Sequence, residues 1–293
     1  MALAACLTSA RARAQACCAG GSAVTPARLE LHEDFLAGVE AHAGEILGSY
    51  DVGGHYVGSP AGTSELDLEE DLFAAARVLR RGQVALLVPF LETRRSVPPS
   101  VGGTHLGGGI GDINASARYD FILAGESLYV PGVALLAGVT VPTGTSPEQA
   151  SQPLAVDETG IGAWQINGAV AFEQTYGPWL VNATAILAAR TPRYGETLAP
   201  QVTLLAATAY TLPNDAAIAL STSYAFEGDA TSGGAYVPYS AKRLTTFTLS
   251  GLYPLTDAWR LLGGLYVEPP FSQLGSNQPA SAGLTLTVIR SWS

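Results

Sequence analysis

The sequence predicts an all-β fold, a transmembrane antiparallel up-and-down β-barrel of about 12 strands. Three observations predict it. Apolar residues recur at period two, connections alternate between short and long, and aromatic residues gather beside the short ones. Strands that face lipid on one side and a polar interior on the other carry this pattern.

Composition narrows the class. Charged residues make up 14% of the 293 and mean hydropathy is +0.22, which is apolar for a protein of this size. No apolar run approaches the roughly 18 residues of a membrane helix. The longest unbroken one is about Val84 to Phe90. A large soluble all-β domain would carry more Lys and Glu on its outward face. The net charge of −10 argues against nucleic acid and against an anionic membrane surface, which both select clustered Lys and Arg.

Cys6, Cys17 and Cys18 all precede the body of the chain, and His32, His42, His55 and His105 are scattered. Neither pattern has metal-ligand spacing, so no metal and no cofactor is expected. The expected partners are the lipid bilayer and small-molecule solutes, with no nucleic acid and no oligomeric state specified.

Residues 1–22, MALAACLTSARARAQACCAGGS, read as a signal-peptide remnant and flexible N-terminus, with an A-x-A cleavage site at Ala12-Arg13-Ala14. The barrel is expected over 35–293. Strand 1 is placed near 38–56, strand 2 near 67–80, and strand 3 near 83–95 after a turn at Arg81-Gly82. Strands 2 and 3 do not alternate cleanly.

Strands 4 and 5 form the hairpin 107–144, turning at Ala124-Gly125-Glu126-Ser127. Its first arm puts Ile113, Ala115, Ala117, Tyr119 and Phe121 on one face. Asp112, Asn114, Ser116, Arg118 and Asp120 fall on the other. Gly107-Gly108-Gly109 precedes a strand, lacks the Lys-Ser/Thr of a phosphate loop, and reads as a flexible rim.

A polar loop at 143–160 leads to strand 6 near 161–176 and strand 7 near 179–190. Strands 8 and 9 (200–212, 216–228) flank Pro213-Asn214-Asp215. Strands 10 and 11 (240–254, 258–268) flank Thr256-Asp257, and strand 12 runs near 280–292. Tyr119, Phe121, Tyr129, Tyr176, Trp179, Tyr210, Tyr253, Trp259 and Trp292 all stand beside short turns, as a girdle at one membrane interface would.

The run Gly109-Ile110-Gly111-Asp112, with Arg118-Tyr119, Pro131-Gly132 and Val141-Pro142-Thr143-Gly144, resembles a bacterial outer-membrane transporter family labelled "phenol-degradation meta-pathway". The resemblance is sharpest over 107–144, and the hairpin spacing extends it from about 35 to the last residue. It implies a barrel of twelve or so strands in a Gram-negative-type outer membrane. It also implies porin-like passive uptake of small apolar or aromatic compounds.

The lumen candidates are Asp112, Asn114, Arg118, Asp120, Gln165, Asn167, Glu173, Arg260 and Glu268. Glu40, His42, Arg77, Ser116, Asn182, Thr184, Ser221, Ser223 and Glu227 fall on the same face. Such a lining selects solutes by width, hydrogen bonding and field. The alternative is a plugged core, in which Arg118 and Arg260 pair with carboxylates and nothing passes. A structural or non-conducting barrel is the second reading and an outer-membrane hydrolase the third. The last would need His42 beside Ser116 or Ser223, but no Gly-x-Ser-x-Gly occurs, so no catalytic residue is assigned.

Overall fold

The structure, a computed structural model, describes residues 27–293. The signal-peptide remnant and all three cysteines lie outside them. Twelve antiparallel strands close into a barrel. They are β1 (Phe35–Tyr50), β2 (Ser64–Leu79), β3 (Gly82–Ser96), β4 (Ile113–Ile122), β5 (Gly132–Val141) and β6 (Gln165–Tyr176). The second half comprises β7 (Trp179–Arg190), β8 (Gln201–Thr211), β9 (Ala217–Glu227), β10 (Lys242–Pro254), β11 (Trp259–Val267) and β12 (Gln278–Trp292).

Each strand pairs with its sequence neighbours, and β1 pairs with β12 from Phe35↔Trp292 to Tyr50↔Gln278. The ring therefore has no free edge. That matters because an unpaired backbone group in hydrocarbon costs several kcal/mol. No helix among the described residues is long and apolar enough to cross a membrane.

The period-two pattern resolves into two surfaces. Val181, Leu187, Ile218, Leu220, Leu265, Leu284 and Leu286 are exposed on the outside. Asn182, Thr184, Ser221 and Thr287 are buried on the inside. At the short-turn end, ring centroids lie 5.2 Å apart for Phe35–Trp292, 4.9 Å for Tyr119–Phe121 and 4.9 Å for Trp179–Tyr210. Arg290 lies over both Trp259 and Trp292, 5.5 and 4.7 Å from the ring centroids. An apolar outer band bounded by amphipathic rings is a surface built for a bilayer.

The structure corrects several expectations. Strand 1 spans 35–50 rather than 38–56, because Asp51 accepts the N–H of His55 and Gly54 turns the chain at φ +80°. Strand 6 starts at Gln165, since Gly160 and Ile161 belong to the loop before it. The first hairpin does not turn tightly at 124–127. Its connection runs from 123 to 131, and Tyr129 stands 93% exposed on it rather than at the wall with Tyr119 and Phe121.

Gly107–Gly109 is no flexible rim. A seven-residue strand segment, Thr104–Ile110, extends β4 and pairs with β3 through Thr93↔Gly107. The two parts of this wall strand meet at Gly111 and Asp112, opposite Pro89, which has no N–H to give the ladder.

Strand β2 alternates in its first half, whereas β3 is apolar on both faces, with Leu87 and Leu91 inward and Val84, Leu86 and Phe90 outward. Glu65, Asp67, Glu69 and Asp71 face in, while Leu66, Leu68 and Leu72 face out; only Glu70 breaks the pattern, outside between Ala41 and Phe90.

One element has no counterpart in the sequence reading. Residues 27–34 turn into the barrel at the short-turn end. Ala27 and Leu29 pack there with Leu36, Phe73, Leu180, Ala209, Ala219, Leu252, Leu262 and Ile289. Side chains from walls right around the ring meet on this segment.

Candidate functional site

The interior has a closed half and an open half. Closure at the short-turn end is held by complementary charge. Arg260 of β11, 4% exposed, donates to the Glu30 carboxylate at 2.6 Å and forms an ion pair with the Glu33 carboxylate at 2.8 Å. Across the bore, Glu173 of β6 takes Arg28 at 2.6 Å, Arg118 of β4 at 3.1 Å and Asn182 of β7 at 3.1 Å. Asp120 holds Arg118 from the other side at 2.8 Å.

Backbone polar groups are met as well. Gln83 of β3 donates to Ala27 O at 2.7 Å and accepts from Leu29 N at 3.0 Å. Arg77 of β2 donates to Glu33 O at 2.8 Å and also to Glu30 O. Wall strands β2, β3, β6 and β11 thus grip one short segment, and buried charges are tolerated because each has a partner.

Above this plug lies a cavity of about 680 Å³, open toward the long loops. One wall is acidic. Successive inward residues of β2 are carboxylates, and the β1 pairing sets Glu40 against Asp71 and His42 against Glu69. Glu268, just past β11, joins them and accepts the N–H and hydroxyl of Ser281, both at 2.8 Å. Thr287 donates to Glu40 at 2.9 Å.

The basic partners of this wall are few. Arg95 bonds Glu65 at 2.8 Å, and His42 lies 3.9 Å from Glu69. On the facing side, the Arg190 guanidinium is taken by Glu227 and by Gln165, the latter at 2.8 Å. Apolar side chains complete the lining, among them Ile46, Leu91, Leu244 and Tyr266. A cavity of this size takes a small organic molecule.

Known structures share this form. The crystal structure of the COG4313 outer membrane channel from Pseudomonas putida F1 superposes with a TM-score of 0.73 at 16% identity. The match covers 90% of this chain and 97% of that one. The translocator domain of the autotransporter NalP from Neisseria meningitidis gives 0.51 at 10% identity, covering 93% and 92%. No family model matches the sequence, and no curated protein does. The likeness is one of fold. This chain has the architecture of outer-membrane β-barrels.

The structure sorts the nine predicted lumen residues into six places. Arg118, Asp120 and Glu173 come together at the plug, and Arg260 stands apart on the opposite wall with Glu30 and Glu33. Gln165 belongs to the Arg190 group, and Glu268 to the acidic wall. Asn114, which donates to Thr140 at 2.9 Å, and Asn167, beside Gly138, line the upper β4–β6 wall. Asp112 sits at the rim, where its carboxylate accepts the N–H groups of Gly144 at 2.9 Å and Ile161 at 2.7 Å.

Sequence reasoning missed Arg28, Glu30, Glu33 and Gln83, together with Asp67, Glu69 and Asp71. The alternation of SELDLEEDL carried the signal for the last three. The third reading placed a base at His42. Its ring packs 4.6 Å from that of Tyr266, and its Nε2 has no hydrogen-bond partner among the described residues, so no serine is activated there.

Proposed function

We propose that this chain is an outer-membrane channel for the passive uptake of small molecules with an apolar or aromatic body. The observation that carries the reading is the cavity of about 680 Å³ whose lining mixes aliphatic and aromatic side chains with both carboxylates and basic side chains. Such a lining wets the path yet offers apolar surface to a ring. The resemblance of the 107–144 hairpin to the phenol-degradation transporters points the same way.

Charge refines the choice. Asp67 and Glu69 share the lining with Arg190, Arg193, Lys242 and Arg243, so neither sign of ion is favoured outright and neutral compounds are preferred over ions of the same size. Passage to the short-turn side requires residues 27–34 to give way, since they fill the bore there.

The test is uptake by liposomes carrying the purified barrel. Three size-matched aromatic solutes are offered: an alcohol, an amine and an acid. Faster entry of the alcohol than of the amine or the acid is expected. If none enters, either through the intact barrel or through the Arg260→Ala variant with its weakened plug, the channel reading fails and a non-conducting barrel remains.

A further inference from the structure

The connection between β5 and β6 is the longest in the described chain, and it folds inward. Pro147, Glu158, Thr159, Gly160 and Ile161 line the cavity, while Ser146 and Val156 are fully buried. Residues of the wall and of the neighbouring loop hold it at three points. The Asp112 carboxylate receives the N–H of Gly144 and of Ile161, gathering both ends of the segment onto one group. Arg95, already paired with Glu65 on the inner wall, donates to Leu154 O at 2.6 Å and Ala155 O at 3.1 Å. Arg193, from the next long loop, donates to Ile161 O and lies 3.4 Å from Glu148.

Two further details mark this position as built. Leu154 and Ala155 both have positive φ, 61° and 50°, a conformation costly for residues with a Cβ. They occur where Arg95 grips their carbonyls, so the surroundings impose the conformation. Val156 sits where Gly107 leaves room: a Cβ at Gly107 would lie 2.6 Å from Val156 Cγ2. Thr143 and Thr159 then donate to Gly111 O at 2.6 Å and Ile110 O at 2.8 Å. The glycine-rich run and the Pro-Thr-Gly exit are therefore two halves of one anchor.

We propose that, whether or not the barrel conducts, segment 143–161 is a constriction that sets the size of molecule admitted from the long-loop side. Asp112, Arg95 and Arg193 are the residues that fix its aperture. The plug closes the opposite end, so the two obstacles act in series on different properties. The plug decides whether a route exists, and the inward loop decides what can reach it.

The readout is chosen to be independent of conduction. Ser223, on the inward face of β9 below the cavity wall, is replaced by Cys in a chain whose Cys6, Cys17 and Cys18 are Ser. Thiol reagents of graded diameter are then added to intact cells from outside. The parent should react with small reagents and exclude large ones. Asp112→Asn and Arg95→Ala should each admit a larger class, with labelling faster by on the order of tenfold or more, since each loses charge-assisted bonds to the loop.

A second variant separates loop position from general loosening. A Cβ at Gly109 would lie 3.8 Å from Thr159 Cγ2, so Gly109→Cys with Thr159→Cys can tether the loop to the wall. Oxidation should return the Arg95→Ala variant to the parental cut-off, and reduction should release it again. An unchanged cut-off in folded Asp112→Asn and Arg95→Ala barrels would overturn the proposal. So would a widened cut-off that the tether leaves wide.

Discussion

Arg260→Ala probes the closure most sharply. In the native barrel this guanidinium, almost wholly buried, neutralises two carboxylates that are themselves 6% and 3% exposed. Removing one partner of a buried pair while the other stays costs ~3–5 kcal/mol, because an uncompensated charge remains inside. The barrel can escape that cost only by releasing residues 27–34 to water.

The full penalty therefore falls on the plugged state and shifts the plugged-to-released ratio by roughly two to three and a half powers of ten. Single-channel recording in planar bilayers should show long open dwells that the parent lacks, and protease should cut within 27–34. Adding Glu30→Gln and Glu33→Gln to Arg260→Ala removes the stranded charges and should restore much of the closure. An Arg260→Ala barrel that folds, conducts like the parent and stays protected would refute the view that this ion pair holds the plug.

Three other outcomes are expected. Replacing the acidic wall, with Glu69→Gln and Asp71→Asn together, should move the zero-current potential in a salt gradient toward anions; no movement would mean the wall does not face the path. Glu173→Gln takes from Arg28 and Arg118 the carboxylate that pairs with them at 2.6 and 3.1 Å, so the heat-modified gel shift in SDS should occur at lower temperature, consistent with ~3–5 kcal/mol of lost stability.

The third concerns pH. Hydrogen bonds from the N–H of Ser151 and then Gln152 hold the Asp157 carboxyl below the usual carboxylate range. Its tie across the inward loop is thus fully present above the ordinary value of about 3.9 and is lost only as pH falls through the lowered value. The thiol-labelling cut-off should therefore stay constant between about pH 8 and pH 5 and widen only in stronger acid. A cut-off that widens near neutrality would exclude this tie as the cause.

The wall was legible because two solvents impose period two on most of its strands, whatever their register. Where that period was masked, reading stopped. Glu70, one outward carboxylate among leucines, hid the inward ladder of β2. The plug was illegible for a different reason. Residues 27–34 alternate only from Ala27 to His32, too briefly to stand out from a strand end, and their partners, Gln83, Glu173 and Arg260, come from walls brought together only by closure of the ring. Arg118 and Arg260 could be placed inside from alternation alone, but not matched to Arg28, Glu30 or Glu33. The Gly-Ile-Gly-Asp and Pro-Thr-Gly runs stood out as a motif. That they meet to hold a loop follows from the Asp112 contacts, which join the β3–β4 connection to both ends of the β5–β6 one.

The β1–β12 seam ties assembly to plugging. It joins the two ends of the described chain, so it carries the largest loop-closure entropy of any pairing in the molecule, and such contacts form late. The plug is continuous with the first strand of that seam. During insertion it must be drawn inside while the ring is still open, or be threaded later through a finished hoop already crowded with side chains. The first course is far less obstructed. A newly closed barrel would then be born shut, and the membrane would never be exposed to an unplugged hole while the protein is being made.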